Sequence, residues 1–330
     1  MSQSPRFHEV VEHLRAHSDN PSGFLTLNST MRYYRGVETP GIVAYAAFGR
    51  HTVLLGNPLA PADRRVHLLD EFRAREARCS RSLTVTEIRG HDAQTYARRG
   101  FAVNQIGSSY SIDLTAFSLR GRALAKVRQN TARARREGVA AEEVAKEFPV
   151  GPALDAVDAF WLRGKGKGVK EFAFFIGERE EPGVLLARVF VARHRGRIVA
   201  YASYYPAYGT QPGWIVDRTR RMPDAPVGTT ELLNLTALET FQREGAAWLH
   251  LGLTPLAGLD PLREQTTANR LLSRGLALAA GNDRILYPSR SQLAYKMKWA
   301  PHDVQPEYVA FDRRMTAPAL WNLLKVLGAV

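Results

Sequence analysis

Residues 117–138, FSLRGRALAKVRQNTARARREG, place the strongest constraint on how this chain can fold. The segment has no acidic residue before Glu137 and holds seven basic residues, namely Arg120, Arg122, Lys126, Arg128, Arg133, Arg135 and Arg136. Apolar residues recur at helical spacing on one side, namely Leu119, Ala123, Val127 and Ala134. The pattern predicts a helix that packs on a core through a narrow apolar stripe and exposes a dense cationic face.

So many like charges repel one another unless a polyanion neutralises them. Two classes of partner fit this face, a nucleic acid backbone and an anionic membrane surface. The whole chain shares the bias, with a formal net charge of +13. A genome rich in arginine codons would also raise the net charge, but it would not gather the charge in one segment.

The composition is that of a globular protein, with 45% hydrophobic and 23% charged residues among 330. This length is enough for two domains. Cys79 is the single cysteine, so the chain can form neither an internal disulfide nor a cysteine-based zinc site. One cysteine also fits a reducing cytoplasm.

No targeting or membrane-spanning segment is expected. The first twenty residues lack the apolar run of a secretory signal, and other apolar runs are shorter than the ~18 residues that span a bilayer. The last segment, residues 317–330, is apolar and carries Trp321 and Lys325. It fits either a helix in a membrane interface or a terminal helix docked on the core. We therefore expect a cytoplasmic location, which includes the inner face of the membrane.

Hydrophobic periodicity predicts an α/β (α+β) fold in which mixed sheets are flanked by helices. Two halves with similar element order are expected, residues 1–140, which end in the basic helix 117–138, and residues 141–330. Predicted strands fall at 41–48, 52–55, 82–88, 109–114, 141–144, 184–193, 197–205, 211–217, 248–251, 291–299 and 308–311. Predicted helices fall at 6–17, 63–78, 92–99, 151–162 and 229–244.

Motifs of common cofactor chemistry are missing from the sequence. There is no P-loop, no GxGxxG after a strand, no HExxH and no G-x-S-x-G elbow. The segment 163–168, RGKGKG, is interpreted as a loop whose Lys165 and Lys167 could contact phosphate. His250 lies in an apolar strand and is expected to be a hydrogen-bonded core residue. We predict neither a cofactor nor a metal.

The second half holds the densest set of candidate site residues. Asp217 ends an apolar strand and is followed by Arg218, Arg220 and Arg221. A carboxylate there could bind an amine, position a base or form surface ion pairs. Gly228 and Thr229 begin a helix whose free N–H groups could bind an anion or a developing oxyanion.

Two further segments could contact a ligand. Gly252 ends a strand, where the backbone could approach a ligand closely or only make a tight corner. Lys296 and Lys298 would share one face of a regular strand and could hold a phosphate or a carboxylate, although solvated lysines fit equally.

Five segments together resemble a known family. They are GNPLAP at 56–61, the run GFAVNQIGSSYSIDLTAFSL at 100–119 with KVRQNTARARREG at 126–138, VDRTRRMPDAPVGTTELL at 216–233, LGLTPLAGL at 251–259 and YKMKWAPHDVQPEYVAF at 295–311. In this order they resemble the C-terminal synthase domain of the lysyl-phosphatidylglycerol synthases, a family of aminoacyltransferases. The resemblance extends from about residue 56 to residue 311.

The resemblance implies two tandem GNAT-type acyltransferase halves with the active site mainly in the second half. It implies transfer of an aminoacyl group from tRNA to a hydroxyl acceptor, with aminoacyl-tRNA as co-substrate in place of a cofactor. The functional acid and arginine of the family fall on Asp217 and Arg220, and a functional lysine falls on Lys296 or Lys298. The basic segment falls where the family is expected to meet tRNA.

The sequence departs from the family at four motif positions, Asn57, Arg218, Thr219 and Trp299. Within these residues there is no counterpart of the multi-span flippase domain. Freestanding relatives include tRNA-dependent seryl transferases of natural-product pathways, which act on a small soluble acceptor. The acceptor could therefore be phosphatidylglycerol, a similar anionic lipid or a small molecule. Three other classes stay open, namely a CoA-dependent GNAT N-acyltransferase, a non-catalytic module that binds RNA or membrane, and a peptidoglycan-bridge aminoacyltransferase.

Overall fold

The computed structural model describes residues 7–145, 151–164, 176–178, 183–281 and 289–327. Within these residues one mixed sheet contains eleven strands. They are β1 (Arg32–Arg35), β2 (Ile42–Phe48), β3 (His51–Leu55), β4 (Ser82–Arg89), β5 (Phe101–Asp113), β6 (Ala140–Glu143), β7 (Arg188–His194), β8 (Arg197–Ala207), β9 (Gly213–Arg221), β10 (Trp248–Pro255) and β11 (Asp303–Asp312).

Helices cover both faces of this sheet. They are α1 (Phe7–His17), α2 (Arg65–Arg78), α3 (Gly90–Arg98), α4 (Ala125–Arg136), α5 (Gly151–Gly164), α6 (Thr229–Arg243), α7 (Arg270–Ala280), α8 (Ser289–Met297) and α9 (Ala317–Leu327). A 3-10 helix, Pro21–Leu27, follows α1. The hairpin of β7 and β8 and the helix α6 confirm the prediction, since α6 begins after Gly228 and ends before Gly245.

The order of the strands across the sheet is β1-β2-β3-β4-β11-β5-β10-β9-β8-β7-β6. Each half has a run of antiparallel strands, then a helix, then a strand parallel to the last one. The first half does this with β3, α2 and β4, and the second half with β9, α6 and β10. This confirms the predicted class, an α/β fold with a mixed sheet flanked by helices and two halves of similar element order.

The two halves exchange strands at the centre of the sheet. The strand β5 follows the first half in sequence but pairs with β10 of the second, while β11 ends the second half and pairs with β4 of the first. The strands β5 and β11 also pair with each other. The sheet is therefore continuous across residue 140, and the division at that residue stays a prediction.

Side chains on the two faces of the sheet form separate cores. Tyr204 and Tyr205 are consecutive on β8 and so point to opposite faces. Tyr204 lies in the core that includes residues of α4 and α6, and Tyr205 lies in the core that includes residues of α7 and α9. A helix therefore faces one of two environments, according to the side of the sheet that it covers.

The basic helix is shorter than predicted, because it begins at Ala125 rather than near residue 117. Gly121 has a φ of 86°, which is incompatible with a right-handed helix, so Arg120 and Arg122 lie in the segment before the helix. The apolar stripe is confirmed in part: Val127 and Ala134 are buried in the core shared with α6, whereas Leu119 and Ala123 lie before the helix and Ala123 is exposed.

Residues 291–299 were predicted as a strand, and this prediction is wrong: Ser289–Met297 form the helix α8. Leu293, Tyr295 and Met297 are large apolar residues spaced two positions apart, as on one face of a strand. However, Met297 is exposed, while Lys296 and Trp299 are buried three positions apart, as on one side of a helix. Lys298 lies beyond the helix and does not share a strand face with Lys296.

The terminal helix α9 docks on the core through Ala319 and Leu323, while Trp321 stays half-exposed. In the ranges that the structure describes, no helix is both long and apolar enough to cross a bilayer.

A strained, buried carboxyl marks the junction between β4 and β11. Glu87 has a φ of 54°, and the register of the two strands shifts between Tyr308 and Ala310, as at a β-bulge. Burial, together with repulsion from Glu307, raises the pKa of Glu87 to about 8, and burial raises the pKa of Glu307 to about 7. Among the described residues, neither Oε2 atom has a hydrogen-bond partner.

Replacing Glu87 with glutamine is expected to flatten the dependence of stability on pH. The folded chain keeps a proton that the unfolded chain, with a pKa of 4.5, has released, so the free energy of unfolding falls as pH rises from 4.5 to about 8. One such group contributes a limiting slope of about 1.4 kcal/mol per pH unit. Urea denaturation between pH 5 and 8 measures the slope.

The exposed Glu12→Gln variant is the control and should keep the wild-type slope. A Glu87→Gln variant that also keeps it would show that Glu87 is ionised in the folded protein throughout this range.

Candidate functional site

The parallel strands β9 and β10 separate in the middle of the second half. They pair only from Gly213 to Ile215 and from Trp248 to His250, although β9 continues to Arg221 and β10 to Pro255. Beyond these pairs the facing backbone groups have no ladder between them. Parallel strands that part in an open sheet leave a crevice at their carboxyl ends, which is a common place for a ligand.

A β-bulge lies at Asp217, two residues beyond the last pair of β9 with β10. Tyr204 of β8 pairs with Val216, but the preceding Ser203 pairs with Arg218, so Asp217 is the extra residue. In a regular strand Asp217 and Arg220 would point to opposite faces, because they are three positions apart. The bulge turns Asp217 toward Ser203, on the face that also carries Arg220.

The carboxylate of Asp217 is almost fully enclosed, with its side chain 2% exposed. It accepts hydrogen bonds from the Gly177 N–H at 2.7 Å and from the Ser203 hydroxyl at 3.2 Å. Burial raises its pKa to about 6, against the opposing charge of Arg218. The alternative of a surface ion-pair cluster is thereby excluded for this residue, and its pKa lies close to neutrality.

The guanidinium of Arg220 is held on an aromatic face. It lies over the ring of Trp161 at 3.7 Å from the centroid, which is a cation–π contact. Its Nε is 3.8 Å from Oδ1 of Asp158, an atom that also accepts from the Tyr201 hydroxyl at 2.5 Å. Thus two residues of α5, Asp158 and Trp161, hold the side chain of Arg220 in place on β9. Arg221, the next residue, is exposed.

Lys296 closes the other side of the separated strands. Its Nζ donates to the carbonyls of Gly252 at 2.8 Å and Leu253 at 3.0 Å, both on β10 beyond the last pair with β9. Gly252 has a φ of 74°, so the glycine permits the local turn of this strand. Burial lowers the pKa of Lys296 to about 7.

Lys298 lies at a different place, the N-terminus of α6. Its Nζ is 3.3 Å from Oε1 of Glu231, and the same oxygen accepts from the Asn130 side-chain amide at 2.8 Å. Asn130 belongs to the basic helix α4, so Glu231 joins α4, α6 and the residue after α8. Gly228, just before α6, lies against the backbone of α4, because a Cβ at this position would be 1.9 Å from the Asn130 carbonyl oxygen.

Most of the basic residues are exposed, as predicted. They are Arg120 and Arg122 before the helix and Lys126, Arg133, Arg135 and Arg136 on it. Arg128 differs, because it donates to the carbonyls of Leu119 at 2.7 Å and Gly121 at 2.6 Å and so fixes the preceding turn. Lys165 and Lys167 lie outside the described residues.

Sequence reasoning missed Ser203, Trp161, Asp158 and Gly177. Their segments are distant from Asp217 along the chain, and no spacing connects them to it. Only Ser203 had a signal, because it is a polar residue within the apolar alternation of β8. His250 was interpreted correctly: it is buried and bonded to the Ser111 hydroxyl at 2.8 Å and the Gln211 carbonyl at 2.9 Å.

One group among the described residues has the spacing of metal ligands, namely Asp19, His91 and Asp92. His91 Nε2 is 3.1 Å from Asp92 Oδ2, and the two carboxylates raise the pKa of His91 to about 9. Arg65 also pairs with Asp19 at 2.5 Å. Because cationic His91 and Arg65 already neutralise the carboxylates, this group fits an ion-pair network better than a metal site.

Comparison with known proteins assigns the chain to a family. The family model described as phosphatidylglycerol lysyltransferase, C-terminal, matches residues 12–311. A phosphatidylglycerol lysyltransferase of Bacillus subtilis (strain 168) is 24% identical over 307 residues, which cover 90% of this chain and 34% of that protein. The lysylphosphatidylglycerol biosynthesis bifunctional protein LysX of Rhodococcus jostii (strain RHA1) is 24% identical over 261 residues, covering 74% of this chain and 22% of that protein.

Two solved structures share the fold over nearly the whole chain. The C-terminal domain of a protein described as a lysylphosphatidylglycerol synthetase, from Agrobacterium fabrum, has a TM-score of 0.79 at 22% identity and covers 98% of this chain and 99% of its own. The L-PGS structure from Bacillus licheniformis has a TM-score of 0.77 at 20% identity and covers 99% of each chain.

The chain thus shares its α/β fold with these two structures. The chain belongs to the phosphatidylglycerol lysyltransferase C-terminal family, which confirms the resemblance seen in the sequence. It spans about a third or less of the length of the two curated relatives.

The contact of α4 with the start of α6 can be tested by adding a methyl group at Gly228. Gly228→Ala is expected to lower the free energy of unfolding by about 3 kcal/mol or more, because the new Cβ meets the Asn130 carbonyl in addition to the strain of a φ of 92°. Gly138→Ala is the matched control, with a φ of 81° and nothing within 4 Å of the new Cβ.

The Gly138→Ala control should lower the free energy of unfolding only by the backbone strain, about 1 to 2 kcal/mol. Denaturant unfolding of both variants gives the difference. Equal losses for the two alanines would mean that α4 does not press on Gly228.

Proposed function

We propose that this protein transfers an aminoacyl group from aminoacyl-tRNA to a hydroxyl of an anionic lipid, with phosphatidylglycerol as the acceptor. Support comes from the family, whose members are described as phosphatidylglycerol lysyltransferases, and from the named relatives. The observation that supports aminoacyl-tRNA as the donor is the exposed cationic helix α4. This helix contacts the start of α6 through Asn130 and Glu231, beside the separated strands.

The proposed reaction needs no added energy source. The acceptor hydroxyl attacks the carbonyl carbon of the aminoacyl ester, and the bond to the ribose oxygen of tRNA breaks. The proton of the acceptor hydroxyl ends on that ribose oxygen, so one ester replaces another. The enzyme has to position the two substrates, move this proton and stabilise the tetrahedral oxyanion. Aminoacyl-tRNA is then the co-substrate, and we propose no cofactor.

Asp217 is proposed to move the proton or to hold the α-ammonium of the donor. Its pKa of about 6 leaves it largely ionised at neutral pH yet close enough to exchange a proton, as a general acid–base group requires. The hydrogen bonds from Gly177 and Ser203 fix its orientation. Arg220, held over Trp161, presents a positive charge to a phosphate or to the terminal adenosine.

The two lysines are proposed to have different roles. Lys296 holds the carbonyls of Gly252 and Leu253 and so keeps β10 away from β9, with its ammonium next to the space between them. Lys298, partly exposed beside α4, is placed to contact a phosphate of the acceptor stem. Lys296 is therefore the stronger candidate for the functional lysine of the family.

The acceptor and the amino acid can be identified together. Purified protein is incubated with separately radiolabelled aminoacyl-tRNAs and phosphatidylglycerol in detergent, and the products are extracted with organic solvent. Label in the organic phase supports lipid aminoacylation and names the amino acid. Label released only into water would replace the lipid with a small acceptor or with hydrolysis, and label that stays on tRNA would contradict the proposal. Because charged tRNA is cytoplasmic, the reaction would take place at the inner membrane face.

The Asp217→Asn variant is expected to lower the transfer rate by about 10²- to 10⁴-fold, the range for losing a general acid–base group. In the wild type, the rate should rise with pH through about pH 6, because the carboxylate forms above its pKa. Rates measured from pH 5 to 8 test both statements. Asp224→Asn, at an exposed position, is the control and should retain wild-type rates. A rate within threefold of wild type for Asp217→Asn would remove this residue from the chemistry.

Reversing three charges on α4 is expected to weaken tRNA binding and flatten its salt dependence. The triple variant Arg133→Glu, Arg135→Glu and Arg136→Glu removes up to three phosphate contacts, so the slope of log K against log salt should shrink by about 2 to 3. Filter binding at several salt concentrations measures it. The control, Arg64→Glu with Arg78→Glu and Arg98→Glu, makes the same charge change at other exposed positions. Equal effects of the two triples would leave only the net charge as the cause.

A further inference from the structure

The segment from Asp260 to Ala280 combines buried polar contacts with exposed leucines. Polar contacts hold its inner side: the buried Asn104 amide donates to the Asn269 carbonyl at 3.0 Å, and the Ser273 hydroxyl donates to Glu264 at 2.9 Å. The Asp260 N–H donates to the buried Gln105 side chain at 2.9 Å. The segment is therefore fixed to β5 by hydrogen bonds.

Its outer side carries large aliphatic side chains. Leu262 is 93% exposed, Leu271 is 75% exposed and Leu278 is 77% exposed. Leu271 and Leu278 are two turns apart on α7, so they lie on one side of the helix about 10 Å from each other. We call these three residues the leucine surface. Its exposure does not come from a loosely packed helix, because Leu272 of the same helix is buried in the core.

Arginines surround the leucine surface. Arg263, Arg270 and Arg274 are exposed, and the sequence of α7, RLLSRGLALAA, has no acidic residue. Leucine is rare among the residues that dominate protein–protein binding, which favour tryptophan, tyrosine and arginine. Exposed leucines next to arginines are typical of helices that lie in the interface of an anionic bilayer. The chemistry therefore favours lipid over a protein partner.

We propose that the leucine surface inserts into the interface of an anionic bilayer, with the neighbouring arginines on lipid phosphates. This inference rests on the proposed function, because an enzyme with a lipid acceptor has to reach that lipid in a membrane. The same face of the sheet carries the half-exposed Trp321 of α9, with Lys325 Nζ 5.7 Å from the centre of its ring. Leu272 and Leu323 pack in one core, so α7 and α9 cover one face.

Vesicle flotation tests the docking without tRNA. Wild-type protein is floated with phosphatidylglycerol–phosphatidylcholine (1:1) vesicles and with phosphatidylcholine vesicles alone. The double variant Leu271→Glu and Leu278→Glu is expected to reduce partitioning to the anionic vesicles about tenfold or more. Two leucines that would be buried in the bilayer are lost, and the two new negative charges are repelled by the anionic lipid surface. The control, Val37→Glu with Ala74→Glu, changes the charge equally at exposed positions elsewhere and should bind like wild type.

Two further arms separate the leucine surface from the basic helix. Leu271→Ala with Leu278→Ala removes apolar area without charge and should also weaken binding in high salt. The Arg133, Arg135 and Arg136 reversal should keep the salt-resistant part of the binding. Wild-type binding by both leucine variants, or complete loss of binding in the α4 variant alone, would overturn the proposal.

Transfer assays distinguish this failure from failure of the proposed function. With phosphatidylglycerol dissolved in detergent, the leucine variants should transfer at the wild-type rate, and with vesicles they should be at least about tenfold slower. Equal rates of wild type and leucine variants on vesicles would overturn the docking and leave the aminoacyl transfer intact. Absence of transfer in detergent by the wild type would instead contradict the function.

Discussion

The ladder between β9 and β10 stops after three residue pairs, and the backbone groups beyond it need other partners. On β10, the carbonyls of Gly252 and Leu253 find a partner in the Nζ of Lys296. On β9, the bulge at Asp217 lies beyond the last pair with β10, and its buried carboxylate accepts hydrogen bonds from a backbone N–H and a hydroxyl. The separated sheet thus accounts for a buried cation, a buried anion and the opposite shifts of their pKa values.

Local patterns in the sequence predicted elements whose periodicity survives in three dimensions. The helix α6 was found because Gly228 and Gly245 bound an amphipathic run, and the hairpin of β7 and β8 because the turn between them is polar. The helix α8 was missed because its large apolar residues are spaced two positions apart, as in a strand. The residues that are buried in the structure, Lys296 and Trp299, are instead three positions apart, as on one side of a helix. The site had the same limit: alternation along a regular β9 would place Asp217 and Arg220 on opposite faces, and the bulge that brings them to one face leaves no local mark in the sequence.

The exchange of β5 and β11 between the two halves could not be predicted from local sequence patterns. These strands are about 200 residues apart in the chain, yet they pair along ten residues at the centre of the sheet. Each completes the other half, so neither half keeps all of its own strands. Such long-range pairing costs loop entropy that only the finished sheet repays, which makes the two halves dependent on each other for stability. A boundary placed near residue 140, at the end of the basic helix, has no counterpart in this pairing.

The basic helix α4 is held in place by packing and by single contacts, while its charges oppose its own formation. Val127 and Ala134 are buried, Arg128 is used for the preceding turn, and Glu137 pairs with Arg133 at 2.7 Å. Lys126, Arg135 and Arg136 remain exposed at their solvent side. A polyanion on this face would relieve the repulsion in the folded protein only, so by linkage its binding would stabilise the fold. Because Asn130 and Glu231 connect α4 to α6, that stabilisation would act on the start of the helix beside the separated strands.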